Sequence, residues 1–374
     1  MNSRCAQFLI CFLSVIYTNP ENLFAQGKKD KHTDTLDTIT MVFGGDLMGH
    51  GPQIQAAKID SNNTYDYKPG FRYLQASIQN ADFAVANLEV TLAGPPFKGY
   101  PQFSSPDEYA LNMKQLGFDL LVTANNHSQD GGKRGLLRTI NTLDSFKIDH
   151  TGTFSDTNQF ERDYPYIIEI NGLKIAILNY TYGTNGLTVV PPTMVNIIDT
   201  AYIRNAINKA RNQGANLIIP VMHWGNEYQR NENRQQSELA QFLADAGCDA
   251  IIGMHPHVVQ PIKTITSKNG KFVPVAYSLG NFVSNQRERY KDGGILARIK
   301  ILHRGNQTRL VKIDYKPFWV HKLLPHEVYG PFDKRGYYLI PTEKRTLLSE
   351  SYQKEASQFF DDTRELLKGV PEWK

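Results

Sequence analysis

The feature that most constrains this chain is a repeated unit: a short run of apolar β-formers, a polar cluster marked by glycine, proline or asparagine, then a stretch with helical periodicity. Residues 38–43, 83–86, 118–122, 217–222, 250–252 and 272–277 read as strands. Residues 71–80, 106–116, 133–146, 199–213 and 233–246 read as helices. Strands that alternate with helices predict parallel pairing, because parallel neighbours need a crossover rather than a tight turn. Elsewhere the pattern is more sheet-like. Residues 166–170 and 173–178 flank Asn171-Gly172, a pair that tolerates positive φ and signals a hairpin. Residues 295–301 and 309–313 read as antiparallel partners across a charged turn containing Gly305, and a last helix is expected over 343–367. The pattern predicts an α/β fold with a mixed sheet, or two sheets packed together with helices outside.

The N-terminus has a different grammar. Arg4 precedes an apolar run over 8–17, Pro20 breaks it, and a lysine-rich polar stretch follows at 27–31. The run is about half the ~20 residues that cross a bilayer. It reads as a secretory signal peptide over 1–26, with a retained anchor as the alternative, followed by a linker over 27–37. The expected location is therefore outside the cytoplasm, periplasmic or associated with the cell envelope. Beyond the signal only Cys248 remains, so no internal disulfide is available and the fold must rest on its core. The net charge of +4 is spread along the 374 residues without a basic block, which gives no reason to invoke nucleic acid.

Residues able to bind metal recur where the strands end: Asp46, Glu89, Asn126 with His127, His223, and His255 with His257. In open α/β sheets ligands bind beyond the carboxyl ends of the strands. Taken singly, each residue has an ordinary explanation as a turn, cap, surface or core residue. Five separate strand ends carrying such groups point instead to a divalent metal site, with His255 and His257 aimed the same way along an extended segment. Mixed carboxylate, amide and imidazole donors without thiolates suit one or two ions of Mn, Fe or Zn. Asp130 lies three residues beyond His127 and can orient its ring, as carboxylates behind histidines do. Glu227 can meet an ion, a substrate amine or water. Trp224 and Tyr228 either line a cleft or pack, and Asn281 either presents its amide at the same rim or serves a turn.

The ordered set Phe43-Gly44-Gly45-Asp46-Leu47-Met48, Ala86-Asn87-Leu88-Glu89, Ala124-Asn125-Asn126-His127 with Asp130, His223-Trp224-Gly225-Asn226-Glu227, Gly253-Met254-His255-Pro256-His257-Val258 and Tyr277-Ser278-Leu279-Gly280-Asn281-Phe282 resembles the CapA (PgsA-type) capsule and poly-γ-glutamate synthesis proteins. That family is similar to the calcineurin-like metallophosphoesterases. The resemblance implies a four-layer α/β/β/α sandwich of metallophosphatase type with mixed sheets, occupying 38–318, and a C-terminal extension over 319–374 whose helix covers the core. It implies Asp46, Glu89, Asn126, His223, His255 and His257 as metal ligands, with Glu89 near the bridging position. His127, with Asp130, would be the acid beside the scissile bond, and Asn125, Trp224, Glu227 and Asn281 would meet substrate. Two departures stand out: Met48 occupies a usual ligand-histidine position, and Glu89 replaces the usual aspartate spacing. His50 either substitutes for Met48 or is surface. The function implied is metal-dependent hydrolysis of a phosphoester or amide in capsule-type polymer synthesis or processing, alongside membrane-bound capsule machinery. The alternative is a non-catalytic subunit that binds or exports an anionic polymer.

Overall fold

The computed structural model describes residues 37–304, 307–323, 331–332 and 336–373. The expected signal peptide, all but the last residue of the linker, and Gly305 lie outside these. Among the described residues no helix is long and apolar enough to cross a membrane.

Strand β1 (Asp37–Leu47) leads through helix α1 (Gly51–Ala57) and a small hairpin, β2 (Lys58–Ile59) and β3 (Thr64–Tyr65), to α2 (Lys68–Gln79). Then come β4 (Phe83–Leu88), α3 (Asp107–Leu116), β5 (Leu120–Val122), α4 (Gly132–Ser145), β6 (Asp149–Thr151), β7 (Thr153–Phe154) and α5 (Thr157–Asp163). A second sheet begins with β8 (Tyr166–Ile170) and β9 (Leu173–Thr181), and β10 (Met194–Val195) follows. The chain continues as α6 (Thr200–Asn212), β11 (Leu217–His223), α7 (Arg234–Asp245), β12 (Ile251–Met254), β13 (Ile262–Thr266) and β14 (Phe272–Ala276). It returns to the first sheet in β15 (Asn281–Val283), β16 (Gly293–Arg304), β17 (Gln307–Leu323) and β18 (Gly336–Pro341), and ends in α8 (Glu350–Leu366).

The first sheet has the order β18-β17-β16-β1-β4-β5-β6, with β15 beside β1; the second is β13-β14-β12-β11-β9-β8. In the first, parallel strands run from β1 to the β6 edge with antiparallel strands on the other side; the second has a parallel centre and an antiparallel strand at each edge. Strands β1, β4, β5 and β6 run parallel in one, and β9, β11, β12 and β14 in the other. Side-chain alternation explains the layering. Ile39, Met41 and Phe43 of β1 meet Ile219, Val221 and Ile252 of the second sheet in one core. Val42, Ala84 and Ala86 face the other way, under Leu74, Met113 and Leu143 of α2, α3 and α4. Ile218, Met222 and Ile251 likewise pack under Ile203, Ala206, Ala240 and Leu243 of α6 and α7. The result is a mixed α/β/β/α sandwich in four layers. The hairpin expected at Asn171-Gly172 forms, with φ of 51° and 80° at the two turn residues.

The C-terminal part differs from its expected form. A boundary between 318 and 319 falls inside β17, where Phe318 pairs with Gly294 on one side and Pro341 on the other. Residues beyond it therefore complete the first sheet rather than append to it. The single expected helix is two elements, a 3₁₀ turn (Thr342–Leu347) and α8. Helix α8 packs on the core, where Ala356, Phe359 and Phe360 join Trp319, Tyr338 and Ile340. The eight-stranded sheet is wider than its six-stranded partner, and α8 packs against the β17 and β18 residues of its core. Phe360→Ala is expected to cost about 3–5 kcal/mol through the cavity it leaves. Urea unfolding should then show one transition moved to lower denaturant; an unmoved transition would make α8 an appendage.

Candidate metal centre

The two parallel centres deliver their carboxyl ends to one place. Asp46 stands near the end of β1, after a register irregularity between Phe43 and Asp46 that turns the local backbone. Its N–H is held by the carbonyl of Gly280 at 3.1 Å. A Cβ on the preceding Gly45 would lie 1.9 Å from that carbonyl, so only glycine permits this approach. Glu89 follows β4, His223 ends β11, and His255 and His257 follow β12. The segment carrying the last two is not extended as the sequence suggested. The strand stops at Met254, and His255 and His257 take φ of 97° and 57°. Left-handed backbone at two non-glycine residues is costly and persists only where surrounding structure enforces it. Here it lets the His255 N–H reach the Asp46 carboxylate at 3.2 Å while the His257 ring approaches the same group.

The donor atoms form two overlapping groups, Glu89 with His255 and His257, and Asp46 with Glu89 and His223; within each, they lie within 4.8 Å of one another. Glu89 belongs to both. His257 Nδ1 lies 3.2 Å from Asp46 Oδ2, and its Nε2 lies 3.7 Å from Glu89 Oε1. His223 Nε2 lies 2.8 Å from Asn126 Oδ1 and 3.5 Å from Glu89 Oε1. All five charged or imidazole residues are buried. Burial, followed by the neighbouring Asp46, pushes the Glu89 carboxyl well above its ordinary range. Burial would raise Asp46 too, but the hydrogen bond and charge of His257, with the Asn87 amide, bring it below its usual value. Burial and the adjacent imidazoles hold His223 well below its ordinary value and His255 at about 3, leaving both rings neutral with a lone pair to give.

A divalent cation fits this set on the structure's own terms. Glu89 Oε1 and His255 Nδ1 are buried and make no hydrogen bond. Among the described residues no Lys or Arg forms an ion pair with Asp46 or Glu89. Two adjacent buried carboxylates without a cationic partner are expensive, and a bound cation inverts that cost.

Residues 40–286, more than half the chain, match the family model described as bacterial capsule synthesis protein PGA_cap. The chain belongs to this family. It is 28% identical over 324 residues to the capsule biosynthesis protein CapA of Bacillus anthracis, covering 82% of this chain and 74% of that protein. It is 28% identical over 258 residues to the PGA biosynthesis protein CapA of Bacillus subtilis (strain 168), covering 67% of this chain and 64% of that relative. Among solved structures, it is similar to the NAD nucleotidase NadN of Haemophilus influenzae, with a TM-score of 0.48 and 14% identity over 90% of this chain and 57% of that one. It is also similar to the calcineurin-like phosphoesterase YfkN of Bacillus subtilis, with a TM-score of 0.45 and 16% identity over 88% of this chain and 99% of that one.

The remaining site residues of this capsule-family protein fall into two kinds. His127 Nδ1 lies 2.8 Å from Asp130 Oδ2, which also accepts the Phe103 N–H at 2.6 Å, and Phe103 packs edge-on against the His127 ring. His127 and His257 face one cavity of about 410 Å³, together with Met48 and His50. His50 is half-buried, lies 3.1 Å from Gln53 Oε1, and is held at about 4, chiefly by burial; it is a wall of this cavity rather than free surface. Glu227 is exposed at the rim.

Two of the four expected substrate contacts, Asn125 and Asn281, have their amides taken up within the fold, and Trp224 is anchored there while also lining a cavity of about 720 Å³. Asn125 donates to Asn87 Oδ1 and the Leu88 carbonyl and accepts the His127 N–H, so both ends of its amide hold the loop. Trp224 is buried, stacks on Tyr277 and donates to its carbonyl. Asn281 donates to the carbonyls of His257 and Lys291 and to Gln286, with its Oδ1 buried and unpartnered.

Sequence reasoning missed Asn87, whose Nδ2 lies 2.8 Å from Asp46, 3.3 Å from Glu89 and 3.2 Å from His223. Its signal was available, because Asn87 precedes Glu89 by two residues, the spacing at which strand side chains share a face. It also missed Tyr182, whose ring lies 4.7 Å from His255.

Asn125→Ala would leave a buried carbonyl, a buried amide oxygen and the His127 N–H without partners. The expected loss is about 1–3 kcal/mol of stability in metal-free protein, measured by urea unfolding. Unchanged stability would return Asn125 to a substrate role.

Proposed function

We propose that this protein holds one or two divalent ions at Asp46, Glu89, Asn126, His223, His255 and His257, and hydrolyses a phosphoester or amide bond in a capsule-type polymer outside the cytoplasm. The observation that carries this reading is the buried pair of carboxylates ringed by three buried imidazoles, with Glu89 common to both ligand groups. A divalent ion bound there supplies Lewis acidity and a water of lowered pKa. The protein's own residues supply the rest. Asp130 fixes the His127 ring through Nδ1, leaving the other ring nitrogen to give a proton to the departing group. Asn125 sets the turn that presents His127, and Asn281 holds the backbone of His257. An exported location rests on the apolar run at 8–17, and the polymer role on the capsule family.

A second reading, a non-catalytic subunit that binds polymer, is favoured by Met48, since a thioether is a poor ligand for a hard ion. One experiment separates the two. Protein purified with manganese is assayed for metal content and for turnover of bis(p-nitrophenyl) phosphate and a γ-glutamyl anilide. His127→Ala should keep its metal and lose about 10²–10⁴-fold in kcat, whereas His257→Ala should lose metal. Polymer binding without tightly held metal or turnover would sink the hydrolase.

A further inference from the structure

The space around the centre has two lobes rather than one. One, of about 720 Å³, runs from His255 and Tyr182 past Trp224 toward Leu239 and Phe242 of α7. The other, of about 410 Å³, contains His127 and His257 beneath Tyr100 and Tyr228. Glu227 lines both. A site that takes a terminal group needs room on one side of the reacting bond; room on both sides suits a bond with substituents in each direction.

The lining is as informative as the shape. Among the described residues, neither lobe is walled by a Lys or Arg. Of the cations close by, Lys291 sits 4.3 Å above the Tyr228 ring and pairs with Glu288 at 3.1 Å, and Arg234 is taken up by Glu238 at 2.6 Å. In place of bases, three tyrosines show 45–77% of their surface at the mouth: Tyr182 at 45%, Tyr228 at 47% and Tyr100 at 77%. Between the lobes stands the exposed carboxylate of Glu227, which forms no ion pair among the described residues. At the same ion centre, a dianionic end group meets that carboxylate at greater cost than a monoanion, with no Lys or Arg in either lobe's wall to offset it, and a repulsive element of this kind selects as effectively as an attractive one.

We infer that the cleft accepts an internal, singly charged linkage of an extended chain, spanning both lobes across the histidine centre, and that Glu227 is the specificity residue that rejects terminal dianions. The inference rests on the hydrolytic reading for its location at the ion site. Its test is independent of turnover, because the probes contain no cleavable ester. Dibenzylphosphinate carries one negative charge with a group on each side; benzylphosphonate carries two charges at full ionisation and a group on one side. Both are titrated calorimetrically, at a pH where the phosphonate is dianionic, into manganese-loaded wild-type protein and Glu227→Gln. The phosphinate should bind wild type at least tenfold more tightly, and Glu227→Gln should narrow that ratio at least threefold by strengthening the phosphonate. Equal or tighter binding of the phosphonate to wild type, no binding of either probe, or an unchanged ratio in Glu227→Gln overturns the inference. The hydrolytic reading fails separately, by absence of ester or amide turnover.

Discussion

Two carboxylates shut away from water side by side are the constraint on which this architecture turns. Ligand atoms of Asp46 and Glu89 come within 4.8 Å in the same donor group. If both were ionised at that separation, an effective dielectric near 20 would give a repulsion of about 3 kcal/mol, before either group's desolvation is counted. Among the described residues no Lys or Arg is paired with them, and the nearby imidazoles His223 and His255 are themselves kept neutral by burial. A fold that retains such a pair does so against its own stability, which is the pattern of a site rather than of a core.

That cost is borne by elements from both sheets. The first sheet contributes Asp46 and Glu89 from neighbouring parallel strands, and the second contributes His223, His255 and His257 from another neighbouring pair. Each sheet alone presents an incomplete ligand set. The apolar core between the sheets, built by inward residues of β1 and β11, is therefore also what sets the spacing of the centre. The loop carrying Phe103 adds a further constraint by tying Asp130, and through it His127, to a segment remote in sequence.

Much of this was legible in the chain, for a reason that also explains the failures. Strand ends are marked by a change of grammar, from apolar β-formers to glycine, asparagine and histidine, so the six ligand candidates could be located. What each side chain does after the strand stops depends on contacts remote in sequence. Asn125 and Asn126 are adjacent and chemically identical, yet one is consumed by the Leu88 carbonyl and the other faces His223. His255 and His257 were correctly paired but for the wrong geometry, because alternation along a strand does not survive two left-handed residues. Tyr182 escaped notice because β9 runs three residues past its expected end. The C-terminal boundary failed because β17 and β18 resemble any other antiparallel pair, and only pairing reveals that they belong to the first sheet.

The stretch from Tyr277 to Val283 leaves one sheet and enters the other beside Asp46. Leu279 donates to the Gly253 carbonyl of β12, and one residue later Gly280 accepts from Asp46 of β1. Because the two bonds sit on consecutive residues, the carboxylate side and the imidazole side of the centre are referred to a single short piece of backbone. Drift accumulated across the wide sandwich is cancelled at this shared datum, so the ligand geometry can stay fixed while the outer helices and sheet edges tolerate substitution.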